Sequence, residues 1–280
     1  MEIIAEQIKT GIKINISREY NVVAVDGITP TSANINTTAS GAVDGSFYNS
    51  SYLAERNIVI TMVPEGDIEE KRLELYKIFP PKKKVILHIK TKKRKVYIEC
   101  YVESLESNVF GIRQNILVSL LAPQPLFIDE NKTEFTQSAI SSSFEFDFEI
   151  SESGVEFGII TKERDITIIN EGEEITGLII EIVANDTVIN PVIYNKTTSE
   201  KFEIRTEMKK GDVITINTHR GQKKIERNRE GQAENILNCI AKGTKWLIAE
   251  LGENTYSFAC ETGEESAIIN YQYNKLYGGV

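Results

Sequence analysis

Two histidines, three cysteines, one tryptophan and a run of lysines are the residues of this 280-residue chain whose chemistry could be put to use. His88 stands in Val85-Ile86-Leu87-His88-Ile89-Lys90. Alternation puts it on the face opposite Val85, Leu87 and Ile89, so it reads as a solvent-facing strand residue rather than a general base. His219, in Thr218-His219-Arg220-Gly221, falls at a strand end before a turn. A serine or cysteine that it could activate would need an elbow of the G-x-S-x-G kind, and the sequence has none. Cys100, Cys239 and Cys260 are odd in number, widely spaced and without a C-x-x-C pair. That pattern suits buried, reduced thiols made in a cytoplasm better than a disulfide framework or a zinc site. Asp186 and Asp212 are isolated turn acids, and no calcium loop, H-E-x-x-H helix or phosphate loop occurs. Paired carboxylates of the glycosidase kind depend on a separation that a sequence does not reveal, and solvated surface acids account for them equally well. The expectation is a chain with no catalytic residue, no metal and no cofactor.

The sharpest charge feature is Lys82-Lys83-Lys84, then Lys90, then Lys92-Lys93-Arg94-Lys95, with no acid among them. Three readings compete: the solvated rim of a hairpin, a protein contact, or a nucleic-acid patch. The two clusters flank the strand Val85–Ile89, which places them at its ends, and no aromatic interleaves with them to stack a base. A net charge of −9 and a pI near 5.1 also oppose bulk nucleic-acid binding. The rim reading leads. Lys82, Lys83, Lys84, Lys92, Lys93 and Arg94 are the candidate protein-contact residues. Trp246, in Lys245-Trp246-Leu247-Ile248, is the candidate for stacking on a sugar, although core packing is the commoner fate of a lone aromatic on a strand.

The elements that must hold these residues are mostly strands. With 41% apolar residues the chain can bury a real core, and its length suits about two domains. The first half is near neutral and the second strongly acidic, as expected of two domains with different surroundings. Val96, Ile98, Cys100 and Val102 alternate with Tyr97, Glu99, Tyr101 and Glu103; Phe144, Phe146, Phe148 and Ile150 alternate with acids. One helix interrupts them. Asp67 can cap it with Glu70 three residues on, Ile68, Leu75, Tyr76 and Phe79 fall on one face, and Pro80-Pro81 ends it. Thr29 to Ser51 is polar and lacks a hydrophobic pattern, so it reads as a long functional or mobile loop. A second polar stretch, after Pro123-Gln124-Pro125, marks a boundary. The division is therefore 1–130 as an α+β domain with one helix, 131–143 as a linker, and 144–280 as short strands punctuated by Gly and Asn turns, a β-sandwich. The fold class is mainly β. The N-terminus lacks a basic region followed by an apolar run, and no stretch approaches the ~18 apolar residues of a membrane span.

Segments of both halves resemble the bacteriophage distal tail protein family. In the first half these are Glu55-Arg56-Asn57-Ile58-Val59-Ile60, Arg72-Leu73-Glu74-Leu75-Tyr76-Lys77-Ile78-Phe79, the strand Val96 to Glu103, and Leu117 to Phe127 with its Pro123-Gln124-Pro125 exit, where the family often has aspartate in place of Gln124. In the second half they are Asn170-Glu171-Gly172-Glu173, Gly177 to Ile182, Asn190-Pro191-Val192-Ile193-Tyr194-Asn195, Gly211 to Thr218, Trp246-Leu247, Gly252-Glu253-Asn254 and Ile268-Ile269-Asn270-Tyr271. The resemblance implies a ring-forming first domain that closes as a homo-hexamer. It implies a galectin-like second domain, and a Thr29–Ser51 arm that reaches the adjacent subunit and orders on assembly. It also implies partners: a tail-tube protein, a tail-associated hub protein, and receptor-binding or baseplate proteins. The protein would be made in the host cytoplasm and end at the virion's tail tip, with neither nucleic acid nor membrane as a partner. A galectin-type sugar site would set His, Asn and Arg beside Trp; His219-Arg220 and Asn228-Arg229 do not reproduce that spacing around Trp246. A carbohydrate-binding module engaging the bacterial surface is the alternative.

Overall fold

A computed structural model describes residues 1–39, 41, 44–109, 114–138 and 165–280. The strand expected at Phe144–Ile150 lies outside the described residues, as does the expected linker beyond residue 138. The chain divides into two compact units, residues 1–131 with 276–280, and residues 132–275.

The first unit contains β1 (Glu2–Gln7), β2 (Ile12–Asn15), a single turn α1 (Ile16–Glu19), β3 (Tyr20–Asp26), β4 (Ala33–Ala39), β5 (Ser46–Leu53), β6 (Arg56–Pro64), α2 (Ile68–Ile78), β7 (Lys84–Lys90), β8 (Lys95–Ser107), β9 (Ile116–Ala122) and the start of β10 (Phe127–Ser138). Antiparallel pairing runs β3-β6-β9-β8-β7-β1-β2. The long strand β8 pairs with β7 through its first half and with β9 through its second; a bulge between Val102 and Ser104 lets it bend between the two. The expected alternation holds, with Val96, Ile98, Cys100 and Val102 buried. They share one core with Ile3, Ile58, Ile60, Leu87 and Leu120. Each such side chain contributes about 1.5–3 kcal/mol on leaving water.

Helix α2 begins as expected, with the Asp67 carboxylate accepting the Glu70 N–H at 3.0 Å. Its buried face differs. Leu75, Ile78 and Phe79 are buried, whereas Ile68 and Tyr76 are exposed. Ile78 and Phe79 lie three and four residues beyond Leu75, on its face, while Tyr76 is turned about 100° away. Ile68 shares Leu75's face but sits in the first turn, at the helix end that is left exposed.

The polar segment expected as a loop folds as a hairpin of β4 and β5, which pair with each other and, among the described residues, with no other strand. With no described residue buried on either face, its strands show no hydrophobic alternation. The β-branched and aromatic residues Ile35, Thr37, Thr38, Phe47, Tyr48 and Tyr52 supply the strand preference.

The second unit contains the rest of β10, then β11 (Asp165–Asn170), β12 (Thr176–Gly177), β13 (Ile179–Ala184), β14 (Val188–Ile189), β15 (Val192–Asn195), β16 (Glu200–Glu203), β17 (Glu207–Met208), β18 (Val213–Asn217), β19 (Lys224–Arg229), β20 (Gln232–Asn235), β21 (Ile248–Ala249), β22 (Gly252–Ala259) and β23 (Ala267–Tyr277). Strand β10 continues to Ser138 through residues expected to be linker; buried Gln137 explains this, since it accepts a hydrogen bond from the Tyr271 hydroxyl at 3.0 Å. The unit is a β-sandwich. One sheet runs β10-β23-β13-β18-β19-β20 and the other β11-β22-β15-β16. Ile180, Ile182, Ile214, Ile216 and Tyr271 of the first sheet share a core with Ile168, Ile193, Phe202 and Tyr256 of the second. The Tyr256 and Tyr271 rings meet across it at 5.2 Å.

Candidate functional site

The hairpin of β4 and β5 has no buried residue among those described. Ile35, Phe47, Tyr48 and Tyr52 are 59–65% exposed, and every described residue of β4 and β5 is exposed. The register puts Ile35, Tyr48 and Leu53 on one face and Phe47 and Tyr52 on the other. Cross-strand hydrogen bonds hold it together: Asn36 Nδ2 donates to Ser50 Oγ at 3.0 Å, and Asn49 Nδ2 to Thr38 Oγ1 at 2.7 Å. A lone two-stranded hairpin is marginal in water, and apolar side chains on both of its faces suit insertion between two surfaces.

The six basic candidates do not form one site. Lys82 and Lys83 precede β7, Lys84 opens it and Lys92–Arg94 follow it, so the length of that strand, about 20 Å, separates the two groups. Lys84 Nζ is taken by Glu99 at 2.6 Å. The Arg94 guanidinium lies 4.3 Å from the Tyr277 ring centroid and donates to the Gly279 carbonyl. The ammonium groups of Lys82, Lys83, Lys92 and Lys93 have no ion-pair partner among the described residues. Lys92 and Lys93 form a turn tip braced by Thr91, whose N–H donates to the Arg94 carbonyl at 2.8 Å. With Arg18, Lys90 and Lys95 they line an open cleft of about 740 Å³.

His88 is more engaged than a solvent-facing residue would be. Its ring nitrogens lie 2.7 Å from a Glu130 carboxylate oxygen and 3.1 Å from one of Glu6, joining β10, β7 and β1. Glu6 also pairs with Lys13 at 2.8 Å, and chiefly that contact holds its carboxyl below the usual range. His219 is half-buried in the second unit, with Nδ1 2.9 Å from Asn217 Oδ1. Burial lowers its pKa. Gly177 makes this packing possible, since a Cβ there would lie 2.6 Å from His219 Cα. Trp246 is partly buried against the core, its ring edge-on to Phe202 at 5.2 Å, with Lys223 Nζ 5.6 Å from the indole centroid. That arrangement is core packing with a cation over the ring. Burial pushes the Cys100 thiol up to about 12.

Arg56 is the largest of the fully buried side chains, and no motif singles it out. A signal was present: Arg56 is in phase with Ile58, Ile60 and Met62, the inward residues of β6.

Comparison with known proteins gives a consistent picture. Residues 9–141 match the family described as phage tail protein RIFT-related domain, and residues 171–277 match the siphovirus-type tail component, C-terminal domain. No curated protein matches the sequence. Among solved structures, the Dit protein (gp 19.1) of phage SPP1, described as a paradigm of the hub adsorption apparatus in phages infecting Gram-positive hosts, superposes with a TM-score of 0.70 at 9% identity, over 97% of this chain and 98% of that one. A chain of the phage p2 baseplate in its activated conformation superposes with a TM-score of 0.56 at 12% identity in the calcium structure, over 97% of both chains. In the strontium structure the values are 0.53 and 11%, again over 97% of both chains. At such identities the superpositions show a shared fold.

Proposed function

Since this chain belongs to the bacteriophage distal tail protein family, as its two matched domains establish, it is a structural component of a phage tail or baseplate, and we propose that it works as a closed ring. Copies associate head to tail through the first unit and close as a homo-hexamer at the tail's distal end. One rim of the ring meets the tail tube and the other the tail-associated hub protein. The sandwich units offer docking faces to receptor-binding or other baseplate proteins. No catalysis and no cofactor is involved; the role is one of shape and self-association.

The observation that carries this reading is the hairpin of β4 and β5, which exposes Ile35, Phe47, Tyr48 and Tyr52 and, among the described residues, pairs with no other strand. An element whose apolar side chains stand exposed gains stability by burying them against a neighbour. Phe47→Asp combined with Tyr52→Ser tests it, with oligomer mass read by mass photometry over a concentration series. The reading expects higher oligomers for the natural sequence, their loss in the double variant, and unchanged circular dichroism. Equal oligomer mass in both would remove the hairpin as the assembly element.

A further inference from the structure

Residues 276–280 belong to the first unit, and what they touch there is the root of the hairpin. Gly27–Ser32 carry the chain from β3 into β4, and Ala54 and Glu55 carry it from β5 into β6. The Val280 N–H donates to the Ile28 carbonyl at 3.0 Å. A Cβ on Gly279 would lie 2.9 Å from Pro30 Cδ and 3.1 Å from Pro30 N, so the tail backbone lies directly on the incoming leg. Tyr277 and Arg94 brace the tail from the other side: Arg94 donates to the Gly279 carbonyl, and the Tyr277 hydroxyl donates to Asp129 at 3.1 Å.

Arg56, the first residue of β6, joins these pieces. Its Nη1 donates to the carbonyls of Gly27 at 2.5 Å and Thr29 at 2.6 Å, both on the incoming leg. Its Nη2 donates to the Gly278 carbonyl at 2.5 Å, its Nε to that of Pro125 at 2.6 Å, and its guanidinium carbon lies 4.6 Å from the Phe127 ring centroid. The side chain is 2% exposed. Four carbonyls and one aromatic face solvate the cation, and no carboxylate pairs with it among the described residues. A buried guanidinium is tolerated only when its donors are met, so the positions of these carbonyls are coupled through it. Gly27 reinforces the coupling: at φ 80°, a Cβ there would lie 2.0 Å from the Asn57 carbonyl oxygen.

We propose that Arg56 and the tail Gly278–Val280 form a clasp that fixes the direction in which the hairpin leaves the first unit, and that self-association through the hairpin depends on this clasp. Arg56 is thus a positioning residue: it touches no partner itself and acts through the hairpin legs. The second half of the proposal rests on the hairpin being the assembly element.

Three variants of the full chain separate the claims: removal of residues 278–280, Gly279→Val, and Phe47→Asp. Gly279→Val puts a side chain against Pro30 without touching the core, and it keeps the test open if the truncated chain fails to fold. Hydrogen exchange is measured on dilute protein at residues 27–32 and in β6–β9, with oligomer mass in parallel. The clasp predicts exchange at 27–32 faster by at least about tenfold in both tail variants, with β6–β9 unchanged, and assembly shifted to at least about tenfold higher concentration. Phe47→Asp should lose assembly while its 27–32 exchange stays at the natural rate. Unchanged exchange at 27–32 in both tail variants overturns the clasp. A loosened root with unimpaired assembly overturns the dependence of assembly on it. Normal assembly of Phe47→Asp contradicts the hairpin reading alone, and leaves the clasp supported by the exchange data.

Discussion

Arg56 is a single buried cation whose burial and whose partners leave different traces in the sequence. Its phase with Ile58, Ile60 and Met62 marks it as inward-pointing, so its burial was legible in the sequence. Its partners were not, because they are backbone carbonyls of three separate segments, and backbone atoms carry no sequence signature. Arg56→Met fills most of the volume but leaves those carbonyls without a donor. It should destabilise the first unit by at least about 3 kcal/mol, measured by denaturant unfolding. His219 gives a second test at this scale. Its folded pKa lies below the ordinary 6.5, so just under pH 6.5 the unfolded chain takes up a proton that the folded chain does not. Stability of the second unit should therefore fall as pH drops through about 6.5 and level off below the folded value. The carboxylates with lowered pKa in that unit, Asp165 beside Lys196, Glu171 beside Lys275, Glu203 beside Lys201 and Asp212 beside Arg229, titrate below this window. Fluorescence of Trp246, the only tryptophan, reports that unit's unfolding, and His219→Gln should flatten the pH slope between 5 and 6.5.

Elements built on strong patterns were legible, and those built on weak ones were not. The alternation of β8 and the Asp67 cap of α2 were read correctly because each is local. Asp67→Ala should cost about 1 kcal/mol, seen as a lower unfolding midpoint. The buried face of α2 was misassigned in part, since which helix residue faces the sheet depends on how the whole element docks. The hairpin was missed as an element because Ser and Asn fill its exposed positions, and a strand with no buried face has no hydrophobic alternation to display. Replacing residues 33–53 by a short Gly-Ser turn should leave the unfolding temperature of the first unit within a few degrees of the natural value. The described residues among those removed are all exposed, and among the described residues their strands pair with no other. The same variant should not assemble.

At the scale of the whole chain, composition and pattern carried the mainly β class and the sandwich, and the order of segments carried the family. The return of residues 276–280 to the first unit had no such signal. They follow the second unit's last strand pattern without a break, and what binds them is a pair of arginines far away in the chain. The basic run, read as six candidate contact residues, proved to be two strand ends with Lys84 and Arg94 already engaged. If the four remaining lysines serve only as a solvated rim, Lys92→Glu with Lys93→Glu should leave oligomer mass unchanged at 0.15 M salt. The central claim concerns closure, and negative-stain electron microscopy of the purified full-length protein, alone and mixed with its tail tubes, measures it most directly. The account predicts closed rings with a central opening, one at the tip of each tube; persistent monomers that neither close nor cap tubes at any concentration would contradict it.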